Sequence, residues 1–426
     1  MLIAAAALTA VSSYAQDKST LDLLVKKGII TAEERAVALQ SASESRAAAG
    51  LNKIFVKEDA TKRLTFSGRI QTQYESIGGS ITNGAAPTKV SDVSTAFMRR
   101  LYLGFKADMG EGISAEIVNN FADNTLDKAI FTAETTYGSF VLGYQKVQWG
   151  LEENTSSSKL LTVERSAANR YWAESATKIG RLGFGARHTG LHYSNKAVID
   201  TAQTLDYGFA VVNAMQGQDA KKNNDIGTFA NVVYTNKISD TNKHSIGLNW
   251  GSIKNPIDST GTAPASGLSN SKIFGVNPYI KSQFGNLTVQ AEMISTTNDA
   301  VTGASASGQN VERKPEGYTG IVAYKFSDQI EGVVRYSQLD TDGAGAQFGE
   351  LYRDASANSQ FGTTTYYNKF ESVYVGVNYY FVDHNAKIML GYENAKASER
   401  LASIGGTKGT GKADADIFRL QAQVLF

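Results

Sequence analysis

The segment Asp416–Phe426, DIFRLQAQVLF, puts Phe418, Leu420, Ala422, Val424 and Phe426 at every second position, with Arg419, Gln421 and Gln423 between them. Successive side chains of an extended chain point to opposite faces, so this strand has one apolar and one mostly polar face. The wall of a membrane barrel demands that arrangement, with the apolar face on lipid and the polar face on a wet lumen. A soluble sandwich uses the two faces the other way round.

The pattern recurs. From Leu64 onward it predicts sixteen strands, at 64–78, 96–110, 111–123, 126–138, 139–150, 181–193, 204–219, 225–238, 243–254, 272–286, 287–299, 315–328, 329–343, 371–385, 386–399 and 415–426. Val373, Val375, Val377, Tyr379 and Phe381 share one face, and Ser372, Tyr374, Asn378 and Tyr380 the other. Ile388, Leu390 and Tyr392 oppose Lys387, Gly391 and Glu393, and Leu64, Phe66 and Ile70 oppose Ser67, Arg69, Gln71, Gln73 and Glu75. Tight-turn signals at Gly110-Glu111-Gly112, Gly138-Ser139, Gly285-Asn286, Ser327-Asp328-Gln329 and Asp383-His384-Asn385 mostly alternate with longer polar stretches near 79–95, 151–180, 255–271, 300–314, 344–370 and 400–414. Short turns on one side and long loops on the other are the habit of an outer-membrane barrel, and an even strand count brings both ends to the periplasmic side. Fourteen or eighteen strands fit the same pattern. Sixteen strands in one chain would make an unusually large sandwich.

Composition excludes several alternatives. No apolar run approaches the roughly 18 residues that a membrane helix needs. The mean hydropathy of −0.25 looks soluble because alternation averages the two faces. The 20 Tyr and 19 Phe suit interfacial girdles, and only 5 Pro interrupt the hydrogen-bonded strands. Zero Cys excludes disulfides and thiol catalysis, and a net charge of +1 implies no nucleic-acid partner. Gly406–Ala413 nearly matches a P-loop, but Ala413 replaces the hydroxyl that would hold magnesium and a strand follows. His188 and His192 would lie about 13 Å apart along a strand, too far for one metal. With no nucleophile elbow and no triad, the reading is a non-enzyme without cofactor, metal or catalytic residues.

The first residues suggest export. Met1–Gln16, MLIAAAALTAVSSYAQ, is an apolar stretch with a small-residue cleavage site at Ser13-Tyr14-Ala15, and it lacks a basic n-region because the first lysine is Lys18. A start upstream of Met1 would explain that. Residues 1–15 are read as a signal-peptide remnant and 16–60 as a periplasmic helical hairpin. Its apolar stripe (Leu21, Leu24, Val25) is closed by Gly28 and followed by the capping-box sequence Thr31-Ala32-Glu33-Glu34. The hairpin resembles short oligomerisation elements of other bacterial proteins, and a solvated spacer fits equally. The fold class is therefore an all-β transmembrane antiparallel barrel of about 16 strands over 61–426, with a short N-terminal helical extension.

Three segments narrow the family: Gly68-Arg69-Ile70-Gln71, Phe97-Met98-Arg99-Arg100-Leu101-Tyr102-Leu103-Gly104-Phe105, and Gly138–Gly150 running into Leu151-Glu152-Glu153-Asn154-Thr155-Ser156-Ser157 and Val163-Glu164-Arg165. Together with the flush aromatic end they resemble the phosphate-selective porin O and P family, motif by motif over about 64–190. The resemblance implies a sixteen-stranded trimer whose third loop, here 151–180, folds inward as a constriction. It implies pore roles for Arg69, Arg99, Arg100, Tyr102 and Asp127. Alternation puts Lys106 on one face with Arg100, whereas Arg99 falls on the apolar face and needs a strand end, a bulge or a protomer contact. Lys146, Glu153 and Arg165 complete the expected pore-lining set. Glu153 stands where phosphate-selective members carry a binding-site lysine, and a carboxylate there would repel an anion. The loop also balances Lys159, Arg165, Arg170, Lys178 and Arg181 against Glu152, Glu153, Glu164 and Glu174.

The expected function is passive diffusion of small hydrophilic solutes and ions through the bacterial outer membrane, favouring anions such as phosphate. The expected partners are outer-membrane lipid, the permeant ions and two further copies in a homotrimer. The alternative is a structural, adhesive or partner-binding barrel without channel activity.

Overall fold

A computed structural model describes residues 24–28, 30–35, 63–84, 86–173, 182–185, 187–214, 225–254, 272–301, 311–353, 361, 365–402 and 405–426. The expected signal segment and most of the expected hairpin lie outside these residues. Two compact units are distinguished: Met1–Thr65 with Lys106–Ala115 and Phe131–Phe140, and the larger Phe66–Phe105 with Glu116–Ile130 and Val141–Phe426. In the first unit Thr31 and Glu34 form a reciprocal capping box: Thr31 N–H donates to Glu34 Oε2 at 2.8 Å, and Glu34 N–H to Thr31 Oγ1 at 3.1 Å. Its tight turn has Gly110, Glu111 and Gly112 at φ of 83°, 54° and 78°.

The chain forms eighteen strands in one sheet. They are β1 (Arg63–Thr82), β2 (Pro87–Gly110), β3 (Ile113–Asn120), β4 (Thr125–Thr135), β5 (Gly138–Lys146), β6 (Arg187–Val198), β7 (Gln203–Asn213), β8 (Ile226–Ser239) and β9 (Asn242–Lys254). The second half comprises β10 (Lys272–Phe284), β11 (Leu287–Val301), β12 (Val311–Arg313), β13 (Glu316–Lys325), β14 (Ile330–Asp340), β15 (Ala346–Gln347), β16 (Tyr366–Val382), β17 (Ala386–Leu401) and β18 (Lys412–Leu425). The short β12 and β15 are side pieces, because β11 pairs directly with β13 and β14 with β16. Sixteen antiparallel strands make the wall. It closes where β18 pairs with β1 from Arg69↔Leu425 to Thr82↔Lys412, and Gly68 and Phe426 exchange backbone hydrogen bonds of 2.7 and 3.1 Å. Closure leaves no strand edge to solvate, which lets a sheet sit in lipid.

The burial pattern is that of a membrane barrel. Leu420 is 40% exposed and its neighbour Gln421 only 1%. Val373, Val375 and Val377 face out while Ser372, Tyr374 and Asn378 are buried. Toward the β17–β18 connection the faces exchange. Ala395, Ala397, Ala413, Ala415 and Ile417 are buried inside, while Asn394, Lys396, Ser398, Asp414 and Asp416 take the outer positions. The apolar face thus crosses the sheet between Ile417 and Phe418. The long connection expected at 79–95 is mostly strand, because β1 runs to Thr82 and β2 starts at Pro87. Its residues alternate poorly because they lie where both faces are partly polar.

An apolar cluster fills part of the interior. It joins Trp149, Trp172 and Phe184 to Phe229, Ile253, Ile273 and Ile294, and includes Phe348, Leu351, Tyr352 and Phe361 with the inward alanines of β17 and β18.

Candidate functional site

After β5 the chain enters the interior instead of turning back. Gly150, at φ 78°, makes the reversal, and a Cβ there would meet Asn169 Nδ2 at 3.0 Å. Its N–H donates to Asn277 Oδ1 at 3.1 Å. The short helix Leu151–Asn154 starts on Glu292, whose carboxylate accepts the N–H groups of Leu151 at 2.7 Å and Glu152 at 3.1 Å. A wall carboxylate thereby satisfies two of the donors that a helix start leaves open.

Charged side chains then lock the segment. Glu152 Oε2 accepts from Ser166 N–H at 2.9 Å and Ser166 Oγ at 2.6 Å. Arg165 donates to the carbonyls of Glu152 and Thr155, both at 2.9 Å. Glu164 takes a two-pronged hydrogen bond from Arg99, and Arg170 Nη1 and Arg353 Nε lie 3.6 and 3.9 Å from it. Burial would raise the Glu164 carboxyl, but Arg99, Arg100 and Arg170 together outweigh it and hold the group far below the usual carboxylate range. The helix Ala167–Ala173 is buried throughout, and Trp172 Nε1 donates to Thr296 Oγ1 at 3.0 Å.

A cavity of about 620 Å³ lies against the first helix, with Arg69, Tyr102, Asp127, Lys128, Lys146, Arg187 and Glu116 in its lining. Its charges are mostly neutralised in pairs: Arg187 with Asp127, Lys128 with Glu116 at 3.3 Å, and Lys146 with Glu153. Arg69 differs. Its guanidinium donates to the hydroxyls of Ser157 and Ser156, and stands 5.0 Å from the centre of the Tyr102 ring. No carboxylate among the described residues pairs with it, and its Nε has no hydrogen-bond partner. A second cavity of about 410 Å³ shares Gln148, Asn154 and Ser156 with the first and adds Lys159, Tyr279 and Lys281. The two flank the same helix.

Of the residues expected to line a pore, Arg69, Tyr102, Asp127 and Lys146 meet in the first cavity. Glu153 is buried behind it, bonded to Lys146 and 3.2 Å from Arg165 Nε. Burial would raise its carboxyl, yet Arg165 and Lys146 bring it net below its ordinary value. Arg165 is spent on backbone carbonyls and on Glu153. Arg99 and Arg100 are adjacent and both buried, so the alternation of β2 slips by one residue there, as a bulge does. Arg100 donates to Gln71 Oε1 at 2.8 Å. Lys106 is exposed near the end of β2 and does not line the cavity. The reading from sequence missed Glu116, Lys128, Arg187 and the wall carboxylate Glu292. Alternation within their strands was the available signal, though it could not say which inward residues would meet.

The family described as Phosphate-selective porin O and P matches residues 67–426. Among solved structures, the chain is similar to an anion-selective porin from Comamonas acidovorans, at 12% identity over 86% of this chain and 100% of that one, TM-score 0.54. It is similar to the outer membrane channel DcaP of Acinetobacter baumannii, at 12% identity over 87% of this chain and 99% of that one, TM-score 0.53. It is also similar to Salmonella typhi OmpF solved with daunomycin, at 14% identity over 87% of this chain and 100% of that one, TM-score 0.51. At such identities the likeness concerns the fold. No curated protein matches the sequence.

Proposed function

Because the chain belongs to the phosphate-selective porin O and P family and forms an outer-membrane channel for small solutes, we propose that its passage runs beside the helix Leu151–Asn154 with a modest preference for anions, set by Arg69. One observation carries this reading: of the four cationic side chains lining the larger cavity, Lys128, Lys146 and Arg187 are each in an ion pair with a carboxylate, whereas Arg69 donates to hydroxyls beside an aromatic ring and forms no ion pair among the described residues, Asp127 acting on it from farther off. A guanidinium holds its charge at any working pH and offers forked donors to an oxyanion. Ion pairs cancel most of the remaining field, so inorganic phosphate passes as one anion among several and finds no dedicated trap. The loop expected at 151–180 acts as the constriction in this reading; 174–180 lie outside the described residues, and the buried anchors of Leu151–Ala173 support the role.

The reading also puts the N-terminal extension in the periplasm, and the family resemblance supports a homotrimer. The reversal potential in a tenfold KCl gradient across a planar bilayer tests the site. The native channel should favour chloride weakly and Arg69→Ala should abolish that preference. An unchanged potential in Arg69→Ala would show that ions pass elsewhere.

A further inference from the structure

We propose that the constriction has two jaws, and that Glu393 is the positioning residue that seats both. The proposal rests on reading Leu151–Ala173 as the first jaw. The second is Thr341–Arg353, which begins in the strand expected at 329–343 and runs into the long polar connection expected at 344–370.

After β14 the chain folds back through Asp342, Gly343 and Gly345, at φ of 51°, 79° and 84°. Asn368 Oδ1 accepts from Thr341 Oγ1 at 2.9 Å and from Gly343 N–H, and Gly345 N–H donates to Thr341 Oγ1 at 2.9 Å. The helix Phe348–Tyr352 that follows is buried along its whole length. Phe348 packs on Phe361 and Tyr352 with ring centres 4.5 and 4.7 Å apart. The same apolar cluster includes the inward alanines of β17 and β18, so the exchange of faces in those strands supplies a dry seat inside the barrel.

A belt of side chains joins this seat to the first jaw. Arg335, Tyr374 and Glu393 stand directly opposite one another on β14, β16 and β17, and Arg419 stands opposite Glu75. Glu393 gives one oxygen to each arginine: Oε1 accepts from Arg335 Nη2 at 2.8 Å, and Oε2 from Arg419 Nη1 at 3.2 Å. The other arm of Arg335 reaches the first jaw, at Glu164 O (2.6 Å), Thr162 Oγ1 (3.2 Å) and Glu152 Oε1 (3.3 Å). Arg419 Nη2 donates to the Tyr352 carbonyl of the second jaw, and its Nε to Glu75 Oε2 at 2.6 Å. Each arginine holds one jaw and the shared carboxylate. A glutamine could not replace Glu393, because its amide has one acceptor oxygen and its NH₂ would face a guanidinium donor to donor. One arginine must then let go.

Single-channel recording of Glu393→Gln tests the clamp. Its conductance should rise about twofold with added flicker, the scale of widening one side of a narrow pore. The chain has no cysteine, so the second jaw can be tethered cleanly. Gln347 and Tyr366 are direct cross-strand partners, a spacing that a disulfide can bridge. Adding Gln347→Cys and Tyr366→Cys to Glu393→Gln should lower the conductance again when oxidised and not when reduced. Native conductance in a folded Glu393→Gln channel, judged by heat-modifiable gel mobility, would overturn the proposal. So would a rise that oxidation leaves untouched. If Glu393→Gln does not fold, Glu75→Gln takes its place with the same readouts, because Glu75 holds Arg419 alone among the two arginines. The Arg69→Ala reversal potential is independent of these readouts, so a failure of the clamp and a failure of the proposed ion path are told apart.

Discussion

Neutralising Glu153 should strengthen anion preference, and the structure sets the scale. The carboxylate bonds to Lys146 and lies 3.2 Å from Arg165 Nε, with 5% of its side chain exposed. Unit charges at that separation interact by about 5 kcal/mol at an effective dielectric near 20, so Glu153 cancels most of the field that Lys146 would present to the cavity. In Glu153→Gln the amide keeps the shape and no carboxylate offsets Lys146 and Arg165. An ion about 7 Å away across mostly aqueous space then feels an added unit charge worth roughly 1 kcal/mol, or about fivefold in relative occupancy. The reversal potential in a tenfold KCl gradient should move toward chloride by a corresponding amount. Removing one partner of a buried pair should also destabilise the barrel by about 3–5 kcal/mol, visible as a lower midpoint in urea unfolding. Glu153→Lys should disrupt the segment instead of tuning it, because it adds a third cation to two. If folded Glu153→Gln has a native reversal potential, Lys146 does not face the ion path and the cavity is the wrong passage.

Two further expectations concern Glu164 and acid. Glu164→Gln leaves Arg99, Arg170 and Arg353 without their shared carboxylate and should cost about 3–5 kcal/mol in urea unfolding, with noisier open channels. A loss below 1 kcal/mol would mean that this cluster does not hold the segment. Both loop carboxyls, Glu153 and Glu164, sit below their ordinary values. Their contribution is therefore fully present above the unfolded value near 4.3 and is lost as pH falls through the lower folded values. The difference in unfolding stability between the native protein and Glu164→Gln should be level from neutral pH to about 5 and shrink only below the usual carboxylate range; a difference that already shrinks near pH 6 would refute the assignment.

The barrel was legible because a period of two recurs in many of the wall strands and needs only local sequence. The lengths of β1 and β2 were not, since beyond the lipid band the outer face has no reason to be apolar. The site was less readable. Alternation put Arg69, Glu75, Glu393 and Arg419 inward, but it cannot tell which inward side chains meet across strands distant in sequence. It set Arg99 outward, because a one-residue slip leaves no mark in the residue types. Glu153 reads from sequence as a carboxylate opposing anions, and its two cationic neighbours come from a strand end and from the far side of the loop. The second inward segment was hidden for a related reason: its start falls in the strand expected at 329–343 and the rest in the polar stretch 344–370, and the aromatic residues that seat it have no period to betray them.

The exchange of apolar faces along β17 and β18 bears on how the ladder finds its alignment. A one-residue shift of β18 against its neighbours would turn Arg419, Gln421 and Gln423 toward lipid, and in the same movement would push Asp414 and Asp416 into the alanine-lined seat and expel Ile417 from it. The two halves of the strand therefore reject the same error for opposite reasons, one because charge cannot face hydrocarbon and the other because carboxylates cannot replace a packed apolar surface. A shift of two residues keeps the parity but carries the crossover about 7 Å along the strand, stranding polar groups in lipid or apolar ones in water. The point where the faces cross thus works as a depth mark written into the strand. It ties the vertical position of the wall in the membrane to the seating of the helix packed inside it.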